Sequence, residues 1–275
     1  LSGIRVYRTT GAKPEFVSDG NVDIEVTDSS TAKVGDYLAG VYISGNDASA
    51  TFNGNTNIKV VANGVNSAGI KIGKPLEASN AGAKVISNGK MVIDTTGING
   101  TATIAGQKIT GSGAVRLFGD NSEFTITGAN TNEASSIKAS TNAIVFDTQD
   151  YVTAGGTFLG KEVLSRNANN NNNTVSLHNT EVSTISETDA LIKANSNYAE
   201  AGLMMTFGGS FVAGKLDTGL FAVDNAKFNL SGELSKATAA SKGWLVHSNN
   251  AKSTRDQVFS KLAVILSDKA LAIGQ

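Results

Sequence analysis

The sequence predicts an all-β protein, specifically a right-handed parallel β-helix (solenoid) of roughly ten coils with loop insertions. Three observations carry this expectation: turn-forming residues at high density, a short apolar pattern that recurs along the chain, and strands that alternate apolar and polar residues. The 275 residues hold 30 Gly and only 2 Pro, and about one residue in ten is Asn. Gly weakens a helix interior by about 1 kcal/mol relative to Ala, and Asn by less. That density therefore disfavours long helices and favours many short strands joined by tight turns.

The recurring pattern is a small residue, then a few apolar or alternating residues, then a polar turn. It occurs as Gly3-Ile4-Arg5-Val6, Gly40-Val41-Tyr42-Ile43, Gly69-Ile70-Lys71-Ile72, Ala114-Val115-Arg116-Leu117 and Ala143-Ile144-Val145-Phe146. Later copies are Ala190-Leu191-Ile192-Lys193, Gly219-Leu220-Phe221-Ala222, Gly243-Trp244-Leu245-Val246 and Leu262-Ala263-Val264-Ile265. A fixed period of this kind marks a repeat architecture. Between copies lie alternating strands: Val22-Asp23-Ile24-Glu25-Val26, Ile58-Lys59-Val60, Phe124-Thr125-Ile126, Val175-Ser176-Leu177 and Phe228-Asn229-Leu230. Alternation at period two buries one face and wets the other. One such repeat cannot bury its apolar face alone, whereas stacked coils can. The competing arrangement is an antiparallel sandwich, which the dipeptides Asp19-Gly20, Asn53-Gly54, Asn63-Gly64 and Asn88-Gly89 would suit as hairpin turns. The repeat favours the solenoid, read as a single domain over 1–275 with insertions at 9–17, 73–83 and 149–173.

The charge balance narrows the function. With 23 Lys+Arg against 24 Asp+Glu the net charge is −1, without the basic excess of a nucleic-acid protein or a polybasic membrane binder. No apolar run approaches the roughly 20 residues of a membrane-spanning helix. The absence of Cys removes disulfides, thiolate metal ligands and a thiol nucleophile. The only histidines, His178 and His247, lie beside polar turns. Gly208-Gly209-Ser210-Phe211 lacks the Gly-x-Ser-x-Gly spacing of a nucleophile elbow. The acids Asp23, Glu25, Asp147, Asp150, Asp217 and Asp224 are scattered, whereas a glycan-cleaving site needs carboxylates paired across one cleft. The expectation is a non-enzyme with no catalytic residues, no metal and no cofactor.

Insertions in solenoids leave from one face, often the binding face. The insertion at 149–173 ends in Arg166 and the run Asn169–Asn173, read either as a partner-contacting loop or as an Asn ladder within the stack. A charged segment near the end carries Lys252 and Arg255, suited to acidic glycans. The candidate binding residues are thus Arg166, Asn169, Asn170, Asn171, Lys252 and Arg255. Trp244, in a repeat strand, is expected in the core, and residues 262–271 as another coil or a short terminal helix.

Two stretches carry a family resemblance: Gly40-Val41-Tyr42-Ile43-Ser44-Gly45 followed by Ala50-Thr51-Phe52-Asn53-Gly54, and 219–232 from Gly219-Leu220-Phe221 to Leu230-Ser231-Gly232. In texture and period they resemble coils of the pertactin-like passenger domains of Gram-negative type V autotransporters, and the likeness extends over nearly the whole chain. The Asn/Ala/Ser-rich style is similar to host-interacting Bartonella passengers, some of which are growth-factor-like, pro-angiogenic ligands. The resemblance implies a virulence factor secreted or displayed on the bacterial cell surface, with a host receptor, glycan or matrix protein as partner. It also implies a monomer whose signal peptide and outer-membrane β-barrel translocator lie outside this chain, so that the chain is an excised passenger or a fragment of one. The rival expectations are a passive structural stalk and a β-helical polysaccharide-degrading enzyme.

Overall fold

A computed structural model describes residues 2–7, 13–28, 38–73, 81–99, 101–104, 107–110, 112–147, 149–154, 157–163, 170–195, 197–198, 204–207, 210–213, 220–221, 223–249, 251–252, 257–258 and 262–274. Among the described residues there is no helix; every element is a strand. Three seven-stranded sheets run the length of the molecule, and each coil contributes one strand to each in the order A, B, C. The strands of sheet A are Ser2–Tyr7, Ala39–Ser44, Ala68–Ile72, Gly113–Leu117, Asn142–Asp147, Ile192–Asn195 and Val246–Asn249. Sheet B holds Glu15–Ser18, Ser49–Phe52, Lys84–Ser87, Glu123–Ile126, Thr174–His178, Ala226–Ser231 and Leu262–Ser267. Sheet C holds Val22–Thr27, Thr56–Ala62, Met91–Ile98, Ser135–Ala139, Thr180–Thr184, Lys236–Thr238 and Leu271–Ile273. Every pairing within these three sheets is parallel, as a β-helix requires.

The stack thus has seven coils rather than roughly ten. Seven of the nine copies of the recurring pattern mark the seven strands of sheet A. Leu262–Ser267 belongs instead to sheet B, and Leu220–Phe221 pairs antiparallel with Asn197–Tyr198, outside the stack. The two shortest coils span 29 residues each, from Ala39 to its neighbour Ala68 and from Gly113 to its neighbour Asn142, and longer ones carry insertions. Residues 15–17, expected within an insertion, form part of the first strand of sheet B. Residues 74–80 of the expected insertion at 73–83 lie outside the described residues.

Like side chains stack on like along the axis, and this column packing forms the core. Ile24, Ile58, Ile93, Ile137 and Val182 follow one another in sheet C, and Val41, Ile70, Val115, Ile144 and Ile192 in sheet A. All ten are at most 8% exposed. In the first three coils the glycine of the sheet A copy has a steric cause. A Cβ on Gly40 would lie 2.3 Å from Ile58 Cγ2 and 2.8 Å from the Gly69 carbonyl oxygen, closer than any real contact. On the wet face of sheet C, Glu25, Lys59, Asp94 and Lys138 follow in register with alternating sign. A one-residue slip of a strand would turn such a row inward, so these charges help to hold the register.

The Asx-Gly dipeptides turn corners within a coil instead of making hairpins. Asp19-Gly20, Asn53-Gly54 and Asn88-Gly89 each join a sheet B strand to the sheet C strand of the same coil. Asn53 Nδ2 donates to Asp19 Oδ1 (2.7 Å) and Asn88 Nδ2 to Asn53 Oδ1 (2.8 Å), so the corner is a ladder of side-chain amides.

Candidate binding surface

The corner between sheets A and B is where the coils differ most. Its backbone is built on one repeated conformation. Asp47, Gly82, Asn121, Asn172 and Asn225 occupy equivalent places in successive coils, with φ of 52°, 74°, 55°, 57° and 51°. Their succession is fixed by N–H donations from Asp47 to Ala81 O, Gly82 to Asp120 O, Asn121 to Asn171 O and Asn172 to Asp224 O. Left-handed backbone is tolerated by Gly, Asn and Asp and by few other residues, which explains the residue types. The side chains continue the ladder: Asn172 Nδ2 donates to Asn121 Oδ1 (3.3 Å) and Asn225 Nδ2 to Asn172 Oδ1 (2.7 Å).

The Asn run therefore belongs to the scaffold where it is described. Asn170 is fully buried; its Nδ2 donates to Leu117 O (2.8 Å) and Asp147 O (2.9 Å), and its Oδ1 accepts from Asn173 Nδ2 (2.7 Å). Asn173, also buried, donates to Gly119 O and accepts from the Ser122 N–H. Asn170, expected at a contact surface, thus has none to offer. Asn171 is half-buried, and its N–H donates to Asp120 Oδ1 (2.9 Å). Burial pushes the Asp120 carboxyl above its ordinary pKa, opposed by that donation from Asn171. Arg166, Asn169 and Arg255 lie outside the described residues. Lys252 stands opposite Gln257 in a short antiparallel pair.

At this same corner antiparallel arms leave the stack in coils five, six and seven. Gln149–Ala154 pairs with Thr157–Val163 between Asp147 and the sheet B strand beginning at Thr174. In the next coil Asn197–Tyr198 pairs with Leu220–Phe221, and Met204–Phe207 with Ser210–Ala213. In the last, Ala251–Lys252 pairs with Gln257–Val258. Neighbouring arms touch: Thr157–Val163 contacts Met204–Phe207, and Asn197–Tyr198 contacts Ala251–Lys252. A further hairpin, Thr101–Ile104 with Gln107–Thr110, occupies the corner between sheets C and A. Only the arm within 149–173 was expected, because the alternation of a hairpin strand is indistinguishable from that of a coil strand.

A second cluster, absent from the sequence expectations, lies on the outward row of sheet A. Arg5, Tyr42, Lys71 and Arg116 follow one another in register, yet Lys71 and Arg116 are 1% and 0% exposed. Cations and rings interleave: Arg5 sits over Tyr7 (4.6 Å) and Tyr42 (5.5 Å), Lys71 over Tyr42 (5.7 Å) and Phe118 (5.0 Å), and Arg116 over Phe118 (4.9 Å). Arg116 also donates to Asn66 O (3.2 Å) and pairs with Asp147 (3.4 Å). Here the polar residue of an alternating strand faces outward as expected but under cover, so alternation alone would have placed it in water. Trp244 departs in the other direction: expected in the core, it is 56% exposed, because it precedes the sheet A strand at Val246–Asn249 rather than lying within it.

The acids and histidines are dispersed. Asp147 closes a sheet A strand at the A–B corner, whereas His178 closes a sheet B strand at the B–C corner. His178 Nδ1 lies 3.0 Å from Ser231 Oγ, and Asn179 Nδ2 lies 3.2 Å from Nε2. Asn179 Oδ1 accepts from the Leu234 N–H, which turns Nδ2 towards the ring. Which of His178 and Ser231 donates to the other is set by the imidazole tautomer. Among the described residues no group of three His, Cys, Asp or Glu side chains could hold a metal, and no helix is long and apolar enough to cross a membrane. Comparisons with protein-family models, curated proteins and solved structures find no match.

Proposed function

We propose that this protein is a β-helical autotransporter passenger, secreted or displayed on the bacterial surface, whose work is to bind a host-cell receptor, glycan or matrix protein. The observation that supports this reading is the placement of the arms: three consecutive coils each send an antiparallel pair from one corner, and neighbouring pairs touch. A rigid stack that repeats its corner geometry sets such arms at a fixed spacing of about 4.8 Å per coil, a condition for forming one continuous contact surface. A spacer has no use for them. The test is a pull-down of host-cell membranes with the full chain and with a variant in which 149–163 is replaced by a short glycine-asparagine link. Loss of capture with an unchanged unfolding midpoint supports the proposal; undiminished capture by this variant and by one lacking 197–221 refutes it.

A further inference from the structure

Exposed apolar side chains are not spread evenly along the stack. Among the described residues the large ones are Tyr7 and Val17 in the first coil and seven more from Ile185 to Ile273, with none between Val17 and Ile185. Four of the seven fall on the outward face of sheet C and at its end: Ile185, Trp244, Leu271 and Ile273, each 48–59% exposed. Each of the first six coils places at least one charged side chain on that face, from Glu25 and Lys59 to Glu181 and Lys236. The seventh instead places Leu271 beside Lys236 and Ile273 beside Thr238.

The outward direction of this pair is fixed by Ala272 between them, which packs on the core beside Ala237. A strand stacked on this one would cover its edge and not that face. The four side chains are also contiguous. A Cβ on Gly274 would lie 3.2 Å from Leu245 Cβ, and one on Gly243 3.2 Å from the Ser186 carbonyl oxygen. The chain next to Ile273 thus abuts the chain next to Trp244, which in turn abuts the chain next to Ile185. Ion pairs close the patch at both ends, Lys269 with Glu233 (3.5 Å) at the B–C corner and Lys242 with Glu187 (3.6 Å) at the C–A corner.

We propose that this patch is the contact face of a homodimer, its occupant a second copy of the chain. An apolar centre that holds a tryptophan, inside a polar rim, is the anatomy of a protein–protein interface. The charges select the partner. A twofold axis along the stack sets each coil against its own copy with the strand direction reversed. Leu271 then meets the partner's Ile273, and the pair at one end of the patch meets the pair at the other, so both signs are offered from both sides. In coils two to six the two outward positions equivalent to Leu271 and Ile273 hold one charged and one uncharged residue. Reversal therefore sets each charge against an uncharged neighbour, and the like-charge contacts that penalise a wrong partner do not arise there. A surface of one sign would be repelled by half of the rim. The dimer replaces the monomer that the family resemblance implies. It uses none of the antiparallel arms, so its failure and that of the receptor-binding proposal are separate.

The test is sedimentation velocity of the full chain from nanomolar to high micromolar concentration. The expected result is a monomer–dimer equilibrium in the micromolar range, as suits a small interface, with no larger species. Acrylamide should quench Trp244 fully in the dilute monomer and less as the dimer forms. Leu271→Lys with Ile273→Thr, which copies the coil below, should raise the dimer dissociation constant at least about tenfold, the order expected from keeping one large aliphatic side chain in water. Val17→Thr, at an exposed apolar position of the first coil, should leave it unchanged. Circular dichroism and the urea midpoint verify that each variant folds. A monomer at every concentration, a dimer indifferent to the Leu271 and Ile273 substitutions, or open-ended aggregation in place of a dimer overturns the inference. Phosphatidylcholine vesicles that shield Trp244 while the free chain stays monomeric assign the patch to a lipid surface, and likewise overturn it.

Discussion

Replacing Asn170 by alanine separates a scaffold role for the asparagine run from a partner-contacting one. The amide joins two coils: Nδ2 donates to Leu117 O in the fourth coil and to Asp147 O in the fifth, while Oδ1 accepts from Asn173 within the corner. Each such bond contributes about 0.5–1.5 kcal/mol net, so the three together amount to about 2–4 kcal/mol. For a chain of this size each kcal/mol moves the melting temperature by about 2–4 °C. A fall on the order of 5–15 °C is therefore expected, with a matching drop in urea midpoint. Asn171→Ala is the comparison: its backbone N–H bond to Asp120 survives the substitution and only the side chain's bond to the same carboxylate is lost, so the fall should be clearly smaller than for Asn170→Ala, at most about 0.5–1.5 kcal/mol. Thermal and urea unfolding followed by circular dichroism measure both. If Asn170→Ala melts like the parent yet no longer captures host membranes, the amide works at the surface and the assignment of this corner to the scaffold fails.

Gly40→Ala should destabilise by at least about 1–3 kcal/mol, because its Cβ would meet the Gly69 carbonyl as well as Ile58; a urea midpoint equal to the parent's would refute the column packing. Asp147→Ala removes a carboxylate partner of the buried Arg116 guanidinium and should cost about 3–5 kcal/mol, whereas Arg116→Met with Asp147→Leu should recover most of that loss, as unfolding of the three proteins would show. Asp120 has a carboxyl pKa raised by burial, so its contribution is fully present below the unfolded value and is lost as pH rises through the folded one. Asp120→Asn, whose amide oxygen can still accept from Asn171, should therefore be more stable than the parent at pH 7, with the difference shrinking below about pH 4. Trp244, the one tryptophan, is 56% exposed, so its native fluorescence should be readily quenched by acrylamide and should shift little on unfolding.

The fold was readable where side-chain period reports a whole strand. Gly3, Gly40 and Gly69 stand near the start of sheet A strands because bulk there meets sheet C, a steric demand that repeats through the first three coils and is relaxed in the next two, where Ala114 and Ala143 take the place. The Val22–Thr27 and Thr56–Ala62 alternation holds over six and seven residues, with one face in the core. Period could not separate a strand that pairs with the coil below from one that pairs with its own neighbour in sequence. Leu220–Phe221 satisfies its backbone locally and Leu262–Ser267 pairs in sheet B, yet both carry the same residues as a sheet A rung, and the coil count came out too high. The candidate site divided in the same way. Lysine and arginine at alternating positions read as wet, but Lys71 and Arg116 are covered, a tertiary fact with no local signature. Asn170 and Asn172 have one residue type and two tasks, one satisfying buried carbonyls and the other accepting a left-handed backbone.

The corner geometry also accounts for where the arms emerge. A parallel stack keeps its strands in register only if every coil returns to the same height, so extra residues must leave between sheets and come back to the place they left. An antiparallel arm does this while satisfying its own N–H and C=O groups, whereas an irregular loop of equal length would leave them to water. The left-handed residue and its amide ladder then rejoin the coil: Asn172 and Asn225 follow the arms of coils five and six and lie in line with Asn121, whose coil has no antiparallel arm at this corner among the described residues. Closing the corner independently of what precedes it lets one coil carry 25 residues more than the shortest, 54 between Ile192 and Val246 against 29 between Ala39 and Ala68, without disturbing the sheets on either side. The same separation makes deletion of an arm a test of binding rather than of folding.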